Sequence, residues 1–423
     1  MHDHSFNRAS ISRALRKSDF RKNKSLYVEA NKLAILDSAV ISAQTAYSGS
    51  NPLTYFERGD KRIYRANHLT HELVLRQVNS NIKRLTRIRQ PNRESIVEIL
   101  THLVSEGVPY RLYRLDIESF YESFSTDEVF KTVSSLPGIS PSTRHLVGEL
   151  LCHFKASGGT GIPRGLAVSA TLADLMMQPF DYKLKMLTGV YFYERYVDDI
   201  LIITNTKEHE RVFLNNLKAL LPSGLSFHNN NKKSINSLLS IVSPTKQAAL
   251  TKPLFECSYL GYRISVYEPG KIKDLRPERH TRSVKVGIAT SKLKKIKFRI
   301  IRSLLAFLND GNFNLLVLRI KFLTSNFSVR DINRDKNKMA GIYYSYPQIT
   351  SDSDNGLIEL DDFLRRSVLN RHGRPFSKIA TILTSAQKRK LLCHSFKRGH
   401  AERFFVYFHP STIKDIQRCW END

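Results

Sequence analysis

FYERYVDDILIIT, residues 192–204, places two adjacent aspartates between two runs of strand-forming residues. Aromatic residues precede Asp198 and Asp199, and four aliphatic residues follow them, a pattern typical of a β-hairpin with its tip at 197–199. Adjacent carboxylates at a buried tip repel each other and lose solvation unless a cation neutralises them. Mg²⁺ can do so with oxygen ligands from carboxylates and substrate phosphates. Taken alone, the stretch is equally compatible with a solvated Asp-Asp turn.

A second carboxylate lies 82 residues before Asp198, in YRLYRLDIESFYESF at 110–124. The residues around Asp116 predict a strand, because Leu112, Leu115 and Ile117 are strand-compatible and apolar. A lone acid within an apolar strand is costly to bury unless it is paired or bound to a metal. Asp116 is therefore a second candidate metal ligand.

The charge of the chain points to a polyanionic partner. The 423 residues include 66 Lys and Arg against 39 Asp and Glu, which gives a net charge of +27. A large excess of cations favours nucleic acid as the partner over a protein that is merely basic. The length suffices for about two to four structural units.

Nothing in the sequence predicts a membrane segment. No apolar run approaches the roughly 18 residues that a membrane helix needs, and no signal-peptide core follows Met1. The four cysteines are far apart and form no zinc pattern, which suits a reducing compartment. We expect a cytoplasmic protein that does not bind membranes.

Two basic segments open the chain. In residues 1–57, Ile11, Leu15 and Phe20 could line one face of a short helix. That helix could be an RNA-binding arm, a docking helix or a solvated helix. Residues 58–100 are strongly basic, with a short strand predicted around 63–64. Such cations could bind a triphosphate or a nucleic-acid backbone, whereas any single one could simply be solvated.

The remaining pattern is mixed. Glycines at 158, 159, 161 and 165 precede an Ala-rich helical run, but no GK[ST] follows them, so this is not a Walker loop. Strands are predicted at 224–234, entering a polar turn, and at 257–266, with a bend at Gly261. A loop is predicted for the acidic stretch 351–362. Helices are predicted at 25–47, 93–107, 125–155 with a break at 136–138, 166–181, 207–222, 291–308 and 313–325.

The order of these pieces resembles motifs A to E of reverse transcriptases over about residues 58–270. The matching stretches are LDIESFY at 115–121, GIPRGLAVSATLADL at 161–175, ERYVDDILII at 194–203, a lysine-bearing turn at 232–233, and YLGYRI at 259–264. The resemblance implies an α+β right-hand polymerase with fingers, an antiparallel-sheet palm and a helical thumb. The implied domains are an N-terminal helical and basic segment at 1–57, fingers at 58–110 with parts of 125–165, palm at 111–270, thumb at 271–345 and a basic C-terminal extension at 346–423.

The implied activity is that of an RNA-directed DNA polymerase, a nucleotidyltransferase that joins dNTPs to a 3′ hydroxyl. The implied cofactors are two Mg²⁺ ions, with Mn²⁺ as an alternative. The implied partners are an RNA template or noncoding RNA, dNTPs and the DNA product, with a partner polymerase and self-association left open. The alternatives are template-independent or protein-primed synthesis, and a non-catalytic RNA-binding scaffold.

The finer pattern resembles bacterial defence-associated reverse transcriptases of the abortive-infection and DRT class. The DIESFYES form of motif A, the IPRG form of motif B and the short basic extension carry this likeness. Within that class, the chain is most similar to the b-type polymerases of two-polymerase DRT type 3 systems. The resemblance therefore implies a role in antiphage defence.

The resemblance also assigns metal ligands. Asp116 and Asp198 match the two bridging carboxylates, and Asp199 matches a weaker ligand or an orienting residue. The backbone carbonyl of Ile117 matches a ligand of the triphosphate-bound ion. Lys233, with Lys232 as the alternative, matches the motif D lysine that protonates pyrophosphate.

Further matches concern substrate binding. Tyr121 matches the steric gate that excludes a 2′ hydroxyl. Arg164 stands where retroviral enzymes have glutamine, which puts the usual nucleotide or template contact in doubt. Gly165 would allow close approach of the nucleotide, and Ser169 would lie on the same side of the helix. Three cations are candidates for the triphosphate, namely Lys61, Arg62 and Arg76. The primer grip matches Tyr259, Leu260, Gly261 and Tyr262, and the helix at 291–308 matches the first thumb helix.

Overall fold

The structure is a computed structural model. It describes residues 4–228, 235–239, 253–267, 281–331, 336–350, 356–370, 373 and 375–421. Backbone contacts divide the chain into two units. The N-terminal unit comprises Met1–Pro91 and Pro109–Ser240, and the C-terminal unit comprises Asn92–Val108 and Ile241–Asp423. Both contain helices and antiparallel strands, so the predicted α+β class is confirmed.

The N-terminal unit is built around a four-stranded antiparallel sheet. Its strands are β3 (Tyr110–Asp116), β4 (Val190–Tyr196), β5 (Asp199–Thr204) and β6 (Ile235–Leu239), in the order β4-β5-β3-β6. Strand β5 is central and its aliphatic residues 200–203 are buried on both faces. This burial explains why the run after Asp199 is continuously apolar and does not alternate.

Helices cover this sheet and a two-stranded hairpin lies beside them. The hairpin is β1 (Leu53–Arg58) with β2 (Lys61–Ala66), so the short strand predicted at 63–64 is confirmed. The helix break predicted at 136–138 is confirmed, because one helix ends at Ser134 and the next begins at Pro141. The helices of this unit are α1 (Arg8–Ala14), α2 (Lys17–Lys22), α3 (Glu29–Gln44), α4 (Leu69–Thr86), α6 (Thr126–Ser134), α7 (Pro141–Ala156), α8 (Ala167–Met186) and α9 (Glu210–Leu220).

The C-terminal unit contains strands as well as the predicted helices. Strands β7 (Phe255–Tyr259), β8 (Tyr262–Tyr267) and β9 (Ser283–Ile288) form one sheet. Strands β10 (Asn326–Asp331) and β11 (Lys336–Gly341) form a hairpin that the sequence did not predict. The helices are α5 (Arg93–Ser105), α10 (Thr290–Asp310), α11 (Phe313–Thr324), α12 (Ile342–Ser345), α13 (Leu357–Leu369), α14 (Phe376–Ile382), α15 (Ser385–Leu392), α16 (Phe396–Ala401) and α17 (Pro410–Gln417).

Three local predictions were wrong. The stretch predicted as an acidic loop at 351–362 contains the start of α13, because Leu357, Leu360 and Leu364 bury one helical face. The region 224–234 has no strand in its described part, where Phe227 forms only an isolated bridge to Ile117. The first basic segment forms two helices, α1 and α2, instead of one.

No helix within the described residues is long and apolar enough to cross a membrane.

Candidate active site

The hairpin and the second acidic strand meet at one end of the central sheet. Asp116, the last residue of β3, is paired in register with Asp199, the first residue of β5. The Ile117 amide donates a hydrogen bond to the Asp198 carbonyl at 3.0 Å. The turn between β4 and β5 consists of Val197 and Asp198, within the predicted tip. The fold therefore brings together carboxylates that are 82 residues apart in the sequence.

The turn contains a residue, Val197, whose backbone conformation is unfavourable for its side chain. Val197 has φ of +62°, a left-handed value that is an outlier for a β-branched side chain. Such a conformation is costly and persists only when surrounding contacts enforce it. The hairpin tip that presents Asp198 is therefore held by its neighbours.

Arg195 is one such neighbour. Its guanidinium is buried and donates to the Val197 carbonyl at 2.8 Å. It also donates to both carboxylate oxygens of Asp181, at 2.9 and 2.8 Å, and contacts Asp174 at 3.3 Å. Both acids lie on α8, so this network connects the turn to that helix. Burial acts to lower the pKa of Arg195, but the hydrogen bonds and charge of Asp181 raise it overall.

A second arginine binds the second aspartate of the pair. Arg114 lies on β3, two residues before Asp116, so both side chains project from the same face of the sheet. Its guanidinium donates to the two oxygens of Asp199, both at 3.0 Å. Burial raises the pKa of Asp199, Arg114 opposes this, and the charges of Asp116 and Asp198 add to the increase. Asp199 is thus close enough to Asp116 and Asp198 to be affected by their charges.

The donor set at this end of the sheet fits a divalent cation. Carboxylate and carbonyl oxygens are the hard ligands that Mg²⁺ prefers, and a cation would relieve the mutual repulsion of the acids. In the described part of the chain, no three acidic, histidine or cysteine side chains form a ready metal cluster. Arg114 is paired with Asp199 in this site. His228 lies beside the site, with Nε2 at 3.8 Å from an Asp116 carboxylate oxygen.

Tyr121, the predicted gate, lies on the loop after β3 and is held by the glycine-rich loop. The Ile162 amide donates to the Tyr121 carbonyl at 2.8 Å. Gly161 has φ of +76°, and a Cβ there would lie 2.2 Å from the same carbonyl oxygen. Burial raises the pKa of the Tyr121 hydroxyl, as does the charge of Asp174, so the phenol stays neutral at physiological pH.

Arg164 stacks on this tyrosine. Its guanidinium carbon lies 5.0 Å from the centroid of the Tyr121 ring, within the range of a cation–π contact. The same guanidinium pairs with both oxygens of Glu122, at 2.8 and 3.0 Å. Burial acts to raise the pKa of Glu122, but Arg164 lowers it overall. In the structure, therefore, Arg164 contacts both the predicted gate residue, Tyr121, and its neighbour Glu122.

The same loop also contacts the β1–β2 hairpin. The Tyr64 amide donates to the Arg164 carbonyl at 2.7 Å. Gly165 has φ of +113°, and a Cβ there would lie 2.6 Å from the Tyr64 carbonyl oxygen, so only glycine fits. The buried Ser169 hydroxyl donates to the Pro163 carbonyl at 2.5 Å. At Gly165, therefore, the backbone of Tyr64 approaches closely.

The three cations predicted for the triphosphate lie in different environments. Lys61 is exposed at the start of β2, and its charge helps to lower the pKa of Glu122. Arg62 stacks on Tyr55, with its guanidinium carbon 4.8 Å from the ring centroid. Arg76 pairs with Asp19 at 2.6 Å and is nearly buried, which favours a structural role for it.

The remaining predicted residues belong to the C-terminal unit or are outside the described residues. Lys232 and Lys233 lie outside the described residues. The predicted primer grip is the β7–β8 hairpin of the C-terminal unit, with Leu260 and Gly261 at its turn. Tyr259 and Tyr262 are buried there, and Arg93 stacks on Tyr262 at 4.8 Å.

Sequence reasoning missed the arginines that organise the site. Arg114 could have been found from strand alternation, which places it on the same face as Asp116. A charged residue within an aromatic strand was the available signal for Arg195. Glu122 and its partner Arg164 are 42 residues apart, and no local pattern connects them.

Residues 61–264, which include the acidic pair, the Tyr121 loop and the glycine-rich loop, match the reverse transcriptase (RNA-dependent DNA polymerase) family. Over these residues, the chain is similar to a reverse transcriptase domain. The predicted enzyme class, an RNA-directed nucleotidyltransferase, is thereby confirmed for this domain. Reverse transcriptases use RNA templates, dNTPs and divalent metal ions, which agrees with the oxygen ligands at the sheet edge.

Among solved structures, the chain is similar to apo telomerase from Candida tropicalis truncated from its C-terminal domain, with 14% identity and a TM-score of 0.32. That match covers 51% of this chain and 53% of the telomerase chain, so the chain spans about half the length of this relative. No curated protein matches the chain.

Proposed function

We propose that the whole chain acts as an RNA-directed DNA polymerase that adds dNTPs to a 3′ hydroxyl. The observation that carries this proposal is the register of Asp116 with Asp199, together with the bond from Ile117 to the Asp198 carbonyl. It joins two acidic motifs at one sheet edge within a reverse transcriptase domain. A scaffold without chemistry has no need for clustered carboxylates that repel one another.

In this proposal, Asp116 and Asp198 would hold divalent ions, and the Ile117 carbonyl would be a further oxygen ligand. Two Mg²⁺ ions, or Mn²⁺ in their place, would neutralise the attacking and leaving oxygens of the phosphoryl transfer. Asp199 is bound by Arg114 and acts as an orienting residue. Arg195 donates a hydrogen bond to the Val197 carbonyl. This bond keeps Asp198 at the turn, where it can bind the metal.

Tyr121 acts in this proposal as the gate that excludes a 2′ hydroxyl. Arg164 acts through Tyr121, since it stacks on the ring and pairs with Glu122. Lys61 is our candidate for the triphosphate because it is exposed and its charge reaches Glu122, beside the gate. Arg62 is a weaker candidate, and Arg76 is left out because Asp19 and Glu72 bind it. Lys233 remains the proposed proton donor, and residues 259–262 remain the proposed primer grip.

The proposed division follows the right-hand polymerases, with fingers at 58–110 and parts of 125–165, palm at 111–270 and thumb at 271–345. The biological setting that we propose is antiphage defence in a bacterial cytoplasm. It is supported by the DIESFYES and IPRG forms of the motifs at 116–123 and 162–165. Cellular DNA made by the protein, sequenced together with copurifying RNA, tests this setting. DNA that matches no RNA would favour template-independent or protein-primed synthesis instead.

The polymerase proposal is tested with purified protein, a primed RNA template, Mg²⁺ and dNTPs. The wild type should extend the primer, and Asp198→Asn should not, although it should still bind the RNA. Asp415→Asn, an acid outside the reverse transcriptase domain, is the matched control and should leave extension unchanged. If the wild type binds RNA without making DNA, the chain is a binding scaffold.

A further inference from the structure

A basic cavity lies in the N-terminal unit, between the first two helices and α4. Its volume is about 400 Å³. The cations that line it are Arg13, Arg16, Arg76, Lys83 and Arg84, and its other lining residues are Ala14, Gln77, Asn79 and Ser80. Among the described residues that line it, none is acidic. The cavity therefore combines concave shape with hydrogen-bond donors and a single sign of charge.

The walls of this cavity are fixed by contacts beneath it. Arg76 pairs with Asp19 at 2.6 Å and with Glu72 at 2.9 Å, and it donates to the Ala14 carbonyl at 3.1 Å. These bonds attach the junction of α1 and α2 to α4. Arg8 pairs with Asp37 on α3, at 2.7 and 2.8 Å, and so anchors α1 as well. The charge of Arg76 is thus compensated by Asp19 and Glu72, and the other cations of the cavity surround it.

The opposite wall is a stripe along α4. Ser80, Lys83 and Arg84 follow Arg76 at helical spacing, so their side chains share one face of the helix. Lys83 and Arg84 are exposed, as is Arg13 across the cavity. Asn79 accepts a hydrogen bond from Thr171 of α8 at 2.6 Å, which leaves its amide N–H groups as the donors that it can offer. The cavity is therefore connected to the helix that follows the glycine-rich loop.

We infer that this basic cavity binds the phosphodiester backbone of the RNA that the protein uses. The inference rests on the proposed polymerase function, which brings an RNA strand to this unit. Phosphate oxygens accept hydrogen bonds from arginine, lysine, amide and hydroxyl groups, which are the groups that line the cavity. A dNTP fits less well, because its triphosphate arrives with a metal ion and needs carboxylates beside it. The N-terminal segment is then an RNA-binding arm.

The test measures RNA binding alone, with the full chain, a short fluorescent single-stranded RNA, EDTA and no dNTPs. The cavity variant is Arg13→Ala with Lys83→Ala and Arg84→Ala. The matched control removes three exposed lysines of the same unit, by Lys131→Ala, Lys207→Ala and Lys218→Ala. Both triples lower the net charge equally. The single variant Arg84→Ala is measured in parallel, and thermal unfolding checks that each variant is folded.

The cavity triple should raise the Kd for RNA by about tenfold at physiological salt, because the loss of two to three phosphate contacts removes their counterion release. The negative slope of log K against log salt should become shallower by about 1.4 to 2.1, since each phosphate contact on a single strand contributes roughly 0.7 to its magnitude. The control triple should change Kd by less than about threefold. Equal losses in the two triples, or an unchanged Kd in the cavity triple, would overturn the inference.

Primer extension by the same wild-type preparation separates this inference from the proposed function. RNA binding that depends on the cavity, without DNA synthesis, would contradict the polymerase and leave the binding site standing. DNA synthesis by the wild type, together with a cavity triple that binds RNA like the wild type, would support the polymerase proposal and contradict the binding site. A DNA strand of the same sequence should respond to the cavity triple as RNA does, because phosphates alone are bound. A cavity triple that weakens only binding of polyglutamate would replace the RNA partner with an acidic protein.

Discussion

The guanidinium of Arg164 donates to both carboxylate oxygens of Glu122, at 2.8 and 3.0 Å, while it stacks on the ring of Tyr121. The glycine-rich loop and the loop after β3 are thereby joined by an ion pair next to the proposed gate. A bidentate pair fixes orientation as well as distance. The position of the Tyr121 ring therefore depends on Arg164 and Glu122, which need not touch a nucleotide themselves.

Loss of this pair should relax sugar selectivity. We expect Arg164→Gln and Glu122→Gln each to lower the ratio of kcat/KM for a dNTP over the matching rNTP by about tenfold, since hydrogen bonds to charged groups contribute about 1.5–3 kcal/mol. Tyr121→Ala should lower it further. Steady-state extension with paired dNTP and rNTP measures this ratio.

The controls for the gate prediction separate geometry from charge. Arg164→Lys keeps the charge but loses the planar fork, so it should behave like Arg164→Gln. Glu128→Gln, at an exposed position on α6, should leave the ratio unchanged. A wild-type ratio in both Arg164 variants would remove Arg164 from this role.

Glu122 should also make stability depend on pH. Its folded-state pKa lies below the ordinary value of 4.5, because Arg164 outweighs the effect of burial. The folded carboxyl thus contributes stability above about pH 4.5, and this contribution is lost as pH falls through the lower folded pKa. Urea unfolding of the wild type and Glu122→Gln should show a stability difference at pH 7 that shrinks below pH 4.5. A stability difference that does not change with pH would contradict an ion pair between Glu122 and Arg164.

The two adjacent aspartates should differ in their effect on catalysis. Asp199 is bound by Arg114, so Asp199→Asn should lower kcat by on the order of tenfold to a hundredfold, as supporting residues of metal sites do. Asp198→Asn should abolish extension. Titration with Mg²⁺ adds a second readout, since Asp199→Asn should retain a saturable metal response. An equal loss of kcat in the two variants would indicate that Asp199 is a metal ligand as important as Asp198.

Arg195 should be important for stability and for the turn. Arg195→Met leaves the partly buried Asp174 and Asp181 without their cation, so we expect a loss of about 3 to 5 kcal/mol in urea unfolding. Adding Asp181→Asn to Arg195→Met should recover part of this loss, because one uncompensated charge is removed. A loss below about 1 kcal/mol in Arg195→Met would show that Val197 is held by other contacts.

Much of the site could be predicted from the sequence because its signals are local. A carboxylate in an apolar strand and an acidic pair at a hairpin tip are costly arrangements, so Asp116 and Asp198 stood out before the fold was known. The order of the five motifs then connected them. The pairing register of Asp116 with Asp199 is non-local, and only the structure shows it.

Partners far apart in the sequence explain the rest. Arg76 looked like a triphosphate ligand within a basic run, yet its partner Asp19 lies 57 residues earlier. The acidic residues around Leu357 and Leu360 predict a loop, whereas these apolar positions bury one face of helix α13. Hairpin β10–β11 has short, polar strands whose pairing carries little local signal. In each case, a tertiary contact decided what the local sequence left ambiguous.

The most direct test of the account is extension of a primed RNA template by the purified chain with Mg²⁺ and four dNTPs, for the wild type, Asp116→Asn and Asp198→Asn. We predict complementary DNA from the wild type, none from either variant, and RNA binding by all three. DNA synthesis that persists in Asp116→Asn or Asp198→Asn would contradict the assignment of this sheet edge as the catalytic centre.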